Sequence, residues 1–177
     1  MLNVIESFIS EYPVCQYEVI DTSELVFSEK VRQICKNECE RYGKSWSCPP
    51  AVGEVEDCKK RVLGYEKALL FTTLAEVTDT AIWTETLATR KGHEEVTRAL
   101  CEELKKNKVD VLPLSSESCQ ICETCAYPKP CRYPEYAIPC VESYGILVTA
   151  IAEKYGIDFY SDTHTVTWFG IILLRRE

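Results

Sequence analysis

His93–Ser115 reads HEEVTRALCEELKKNKVDVLPLS, and the change of pattern within it decides the fold. From His93 to Asn107 the apolar residues Val96, Leu100 and Leu104 recur at every fourth position, the spacing that lines one face of an α-helix. Lys105, Lys106 and Lys108 close that helix, where positive charge suits the C-terminal end of the macrodipole. VDVLPLS (Val109–Ser115) then reads as a strand, so a helix passes straight into a sheet. The same alternation extends in both directions. Upstream, CQYEVIDTSELVF (Cys15–Phe27) partly alternates apolar and polar residues, as a strand or hairpin with one solvated face does. Ser28 caps a predicted helix running through Arg41, with Val31, Ile34 and Cys35 on its apolar side and Gly43 as its terminator. A loop with Pro49 and Pro50 leads to a short helix over Val55–Leu63 and the strand KALLFTT (Lys67–Thr73). Downstream, a helix is predicted over Val141–Tyr155 and a last strand over TVTWFGIILL (Thr165–Leu174). Strands separated by helices imply an α/β or α+β sandwich of a mixed sheet with helices packed on it. With no repeat, low-complexity tract or linker-like composition, residues 1–177 read as one domain.

Composition bounds the chemistry. A chain of 177 residues, 46% of them hydrophobic, can furnish a core without crosslinks. Its eleven cysteines are therefore not needed as staples, and an odd number cannot all pair within one chain. The opening MLNVIESFISEYP has no basic segment and carries Glu6 and Glu11, so it reads as an amphipathic helix rather than an export signal. The longest apolar runs, such as WFGIILL, are too short to span a bilayer. These features place the chain in the reducing cytoplasm, where clustered cysteines serve as metal ligands or redox groups. A net charge of −8 argues against nucleic-acid partners, whose phosphates are met by Lys and Arg.

Seven cysteines fall into two groups. The more specific is CxxCxxCxxxxxC: Cys119, Cys122, Cys125 and Cys131. Three thiols at successive three-residue spacings can curl around one compact object, and Pro128, Pro130 and Pro134 restrict the backbone that returns Cys131 toward it. The pattern is similar to ferredoxin-type loops, which hold cubane iron-sulfur clusters through thiolates, with a wider last gap. Zinc is the rival, since four thiolates also make a closed tetrahedral site, but structural zinc usually takes two cysteine pairs separated by a longer segment. Ile121, Ala126 and Tyr127 are placed to shield such a site, and Lys129 and Arg132 to offset its charge. The other group is Cys35, Cys39 and Cys48, from CxxxC followed by CPP. On a helix Cys35 and Cys39 would share a face, one turn apart, with Cys48 returning through YGKSWSCPP and Trp46 as cover. A fourth ligand is not fixed: Cys58 is one candidate and also a packed core thiol, Cys140 in IPCVES is another, and Cys48 and Cys131 have the option of exchanging sites.

Cys15 and Cys101 read as core thiols, and His93 and His164 as hydrogen-bonded or solvated rather than as ligands. No glycine-rich phosphate loop, HExxH pair or serine nucleophile elbow is present.

The combination of CxxxC with YGKSWSCPP, CxxCxxCAYPKPCRYP and VESYGILV resembles a prokaryotic family of predicted metal-binding proteins of unknown function, over most of the chain from Cys35. The resemblance implies metal binding through Cys35, Cys39 and Cys48 and through Cys119, Cys122, Cys125 and Cys131. Cys140, where a small polar residue is expected, is a departure from it. The residues favour one or two iron-sulfur clusters, of the 4Fe-4S kind, passing electrons to a redox partner protein. A zinc-stabilised interaction module and an enzyme with an open-site cluster are the alternatives.

Overall fold

The structure is a computed structural model that describes residues 1–159 and 162–176. Four strands, β1 (Gln16–Asp21), β2 (Lys67–Glu76), β3 (Val109–Ser115) and β4 (Thr165–Arg176), form one sheet in the order β1-β2-β4-β3. Every strand pairing is antiparallel, and a parallel bridge occurs between Ser115 and Cys140. Of the two classes that the sequence left open, the fold is α+β.

The central strands β2 and β4 explain their own composition. Ala68–Thr73 and Trp168–Leu174 are buried without interruption, because the sheet is covered on both faces. Side chains alternate across it. Leu69, Phe71, Ile172 and Leu174 meet Ile5, Phe8, Leu100 and Leu104 from α1 (Leu2–Glu6), the turn after it and α4 (Trp83–Lys106). Leu70, Ile171 and Leu173 face the opposite way, toward Val62 of α3 (Val55–Val62) and Ile151 of α5 (Val148–Tyr155). Phe71 lies opposite Gly170, where a Cβ would come within 2.5 Å of the Phe71 ring, so only glycine fits that register.

Several boundaries differ from expectation. α4 begins ten residues before His93, since its first turns bury Thr86, Arg90, His93 and Glu94, which carry no hydrophobic period. His93 stacks on Phe71 at 5.2 Å and hydrogen-bonds Thr73 Oγ1 through Nδ1 at 2.8 Å; burial holds its pKa down at about 4, so the ring is neutral. The helix capped by Ser28, α2, spans Glu29–Glu38 and stops short of Arg41 because Cys39 is already extended (φ −86°, ψ 121°). The stretch from Val141 to Tyr155 is not one helix. A 3₁₀ turn at Glu142–Tyr144 ends at Gly145 (φ +74°), which passes so close to Val55 that a Cβ would sit 2.9 Å from it. Cys15 is exposed just before β1, which corrects its assignment to the core, whereas Cys101 is buried.

Candidate metal centres

The segment from Ser115 to Cys140 leaves the end of β3 and returns to it. The Ser115 amide donates to Pro139 O at 3.0 Å and the Val141 amide donates to Ser115 O at 2.9 Å, closing the base of a long loop. Inside that loop Cys119, Cys122, Cys125 and Cys131 line one pocket with Ile121, Ala126 and Arg132. Arg132 Nη1 donates to Thr124 O at 3.2 Å, and the Lys129 amide to Ala126 O at 2.8 Å, so the segment is folded on itself. Trp46 belongs here and not over the other group. Its Nε1 donates to Lys129 O at 2.8 Å and its ring meets Tyr127 edge-on at 5.1 Å. Burial opposes ionisation of Cys125, yet backbone N–H groups of Tyr127, Trp46 and Ala126 and the Ser45 hydroxyl outweigh it and bring this thiol below its usual range. Cys119, by contrast, is pushed up by burial.

Cys35 on α2, Cys39 just past its end and Cys48 line a second pocket, and the fourth thiol on its wall is Cys140. Cys58 is not there: it is wholly buried in the core, donating to Val52 O at 3.5 Å with Arg32 Nη2 3.7 Å away. Arg32 assembles the pocket. It donates to Gly53 O at 2.8 Å and to Ser143 O at 2.5 Å, tying α2 to the loop beyond Cys48 and to the turn after Cys140. The Gly43 amide, at a positive φ of 68°, donates to Pro49 O at 2.8 Å and folds the intervening residues into a compact loop. Burial drives the Cys35 thiol up, the Cys48 thiol to about 11 and the Cys140 thiol well above its usual range. Cys140 Sγ also donates to the Glu142 carboxylate at 2.8 Å. Without a compensating cation these three thiols stay protonated.

The two pockets share a wall. Ser47 Oγ accepts the Cys119 amide at 3.0 Å, and Ser47 O accepts the Cys140 amide at 3.1 Å, while Ser45 and Trp46 face the first pocket and Cys48 the second. Among the described residues, no three Cys, His, Asp or Glu side chains yet converge as tightly as a single bound ion requires. A metal held by either set of thiols would require them to move inward.

Buried polar atoms supply a test of fit. Among the described residues Arg90 Nε, Nη1 and Nη2, Ser115 Oγ and Ser118 Oγ are buried with no hydrogen-bond partner. Ser118 lines the pocket of Cys140, Ser115 is bridged to Cys140, and Arg90 stands behind Glu117 on the same wall. Such donors are costly when unpaired, and a thiolate-held, negatively charged group beside them is what they suit. Nothing in the sequence singled them out, since a helical arginine, a serine at the end of β3 and a loop serine have no signature of their own. His164 is no part of either pocket; it bonds Thr78 O at 2.8 Å.

An α+β chain that lines two adjoining pockets with four thiols each has the donor set of a metal-binding protein. The chain belongs to the family described as predicted metal-binding protein (DUF2284), which matches residues 18–174. No curated protein and no solved structure matches it. Among the described residues no helix is long and apolar enough to cross a membrane.

Proposed function

We propose that the chain is a two-centre iron-sulfur protein that transfers single electrons to a partner in the reducing cytoplasm. The observation that carries this reading is the sharing of Ser45–Cys48 by two four-thiol pockets, which would bring two redox groups side by side. Cys119, Cys122, Cys125 and Cys131 would hold one cluster; Cys35, Cys39, Cys48 and Cys140 would hold the other. When bound, each 4Fe-4S cluster supplies a one-electron couple. The chain's own residues do the rest. Ser47 spaces the pockets, Trp46 and Tyr127 keep water from the first, and Arg32 fixes the backbone around the second. The unpaired donors near Cys140 favour a cluster over zinc, because a cluster offers sulfide acceptors besides its thiolates. With Cys140 as a fourth ligand, the ground for expecting an open, catalytic iron falls away.

Anaerobic purification with iron and acid-labile sulfide analysis tests the reading. About eight of each per chain is expected for two 4Fe-4S clusters. Zinc without sulfide would replace it with a structural module.

A further inference from the structure

Arg90 is 1% exposed, and its three guanidinium nitrogens have no hydrogen-bond partner. A buried cation without partners is among the costliest arrangements in a protein, so the surroundings of Arg90 call for a counter-charge. Glu94, one turn on and buried, is the largest counter-charge to Arg90, but it is shared: it pairs with Arg98 at 2.8 Å and accepts the Gln120 amide at 3.1 Å. Arg41 adds like charge from the loop before Cys48. The second carboxylate that acts on Arg90 is Glu117, whose Oε2 lies 3.8 Å from Arg90 Nη1, too far for a hydrogen bond. Glu117 lines the pocket of Cys35, Cys39, Cys48 and Cys140, and its backbone is left-handed (φ +61°), a conformation that a non-glycine residue keeps only when its surroundings impose it. Glu117 thus places a partly exposed negative charge on the wall of the pocket, and Arg90 a buried positive charge behind it, within electrostatic reach of Cys140.

On the proposed function, we infer that Arg90 and Glu117 set the reduction potential of the centre held by Cys35, Cys39, Cys48 and Cys140. Arg90 favours its reduced form and Glu117 opposes it. A thiolate-held cluster gains one negative charge on reduction. A fixed cation in a low-dielectric wall stabilises that added charge, and a fixed carboxylate destabilises it. Neither residue is a ligand; both act through the field they place on the centre.

The test is a redox titration of the full chain with dithionite as one-electron donor, followed by electron paramagnetic resonance. The signal lost in a Cys35→Ser, Cys39→Ser variant identifies the centre in question. Arg90→Gln is expected to disfavour its reduced form about tenfold, a potential about 59 mV lower for a one-electron couple. Glu117→Gln is expected to shift the same signal upward, and Arg90→Lys to restore the wild-type value. Opposite shifts are what a merely structural role would not produce. If Arg90→Gln fails to fold, Glu117→Gln still carries the sign, since Glu117 is partly exposed, and Arg90→Lys is expected to leave the potential at its wild-type value because lysine keeps the charge. Shifts of one direction in Arg90→Gln and Glu117→Gln, or a signal that Glu117→Gln leaves unmoved with both clusters present, would overturn this inference alone. Wild-type chain without iron and sulfide would overturn it together with the proposed function.

Discussion

Exchanging one sulfur for oxygen at Cys140 and at Cys58 separates a ligand from a core thiol. Both are buried, at 8% and 0% exposure, so burial does not distinguish them. Their neighbours do. Cys140 shares a pocket wall with Cys35, Cys39 and Cys48, whereas Cys58 donates to Val52 O and receives Arg32 Nη2. On the proposed function, Cys140→Ser replaces a soft ligand with a hard hydroxyl beside the Glu142 carboxylate and would open the shell of the second centre. Iron is expected to fall from about eight to about four atoms per chain, with sulfide in step and the loop cluster intact. Serine at 58 can take over both polar neighbours, so iron stays unchanged and the cost is a stability loss of about 1 kcal/mol, typical for one substitution. Anaerobic iron and sulfide assays on both variants, with urea unfolding of each, read the two numbers. Full iron in Cys140→Ser, or a half-empty Cys58→Ser, would refute the assignment of the fourth thiol.

Trp46→Ala removes one edge-on aromatic contact and one hydrogen bond to Lys129 O, together about 2 kcal/mol, so amide exchange across 119–131 is expected to rise about thirty-fold. Gly170→Ala forces a methyl against Phe71 and His93 and is expected to cost about 2 kcal/mol. Gly92→Ala, in an exposed turn of α4 with nothing within 4 Å, is expected to gain about 1 kcal/mol; differential scanning calorimetry measures both. The neutral, buried His93 titrates at about 4 when folded and near 6.5 when unfolded, so the unfolded state binds more protons between those values. Stability therefore falls as pH drops through that window, by about 2 kcal/mol at pH 5, and a His93→Gln variant should lack this slope in urea midpoints measured from pH 7 to 5.

The helices and strands that pack through apolar faces were legible. The helix α4 and the strand β3 stood out in HEEVTRALCEELKKNKVDVLPLS because Val96, Leu100 and Leu104 carry a period that polar residues do not hide. The first ten residues of α4 were invisible for the opposite reason: their buried side is Thr86 and Arg90. The break at Gly145 depends on how close Val55 comes, a contact between segments ninety residues apart that no local pattern encodes. The pocket of Cys119, Cys122, Cys125 and Cys131 was legible because its thiols are neighbours in sequence and close a local loop. The other pocket was only half legible. Cys35 and Cys39 are not on one helix face, since the chain turns extended at Cys39, and Cys140 reaches them only because the loop comes back to β3.

That return has a consequence for how the two pockets work together. Cys119 and Cys140 stand at opposite ends of the long loop, yet both donate their amides to Ser47, one to its hydroxyl and one to its carbonyl. Any inward movement of Cys119 as its pocket fills pulls on the same residue that positions Cys48 and Cys140. On the proposed function, filling the loop pocket would act on one wall of the other through Ser47. Cys125, the thiol whose pKa is already lowered, sits in the loop pocket, while Cys48 and Cys140 are held protonated. On the proposed function, the lowered Cys125 and the shared hydrogen bonds of Ser47 would favour filling of the loop centre first, against the opposing effect of burial on Cys119 in the same pocket.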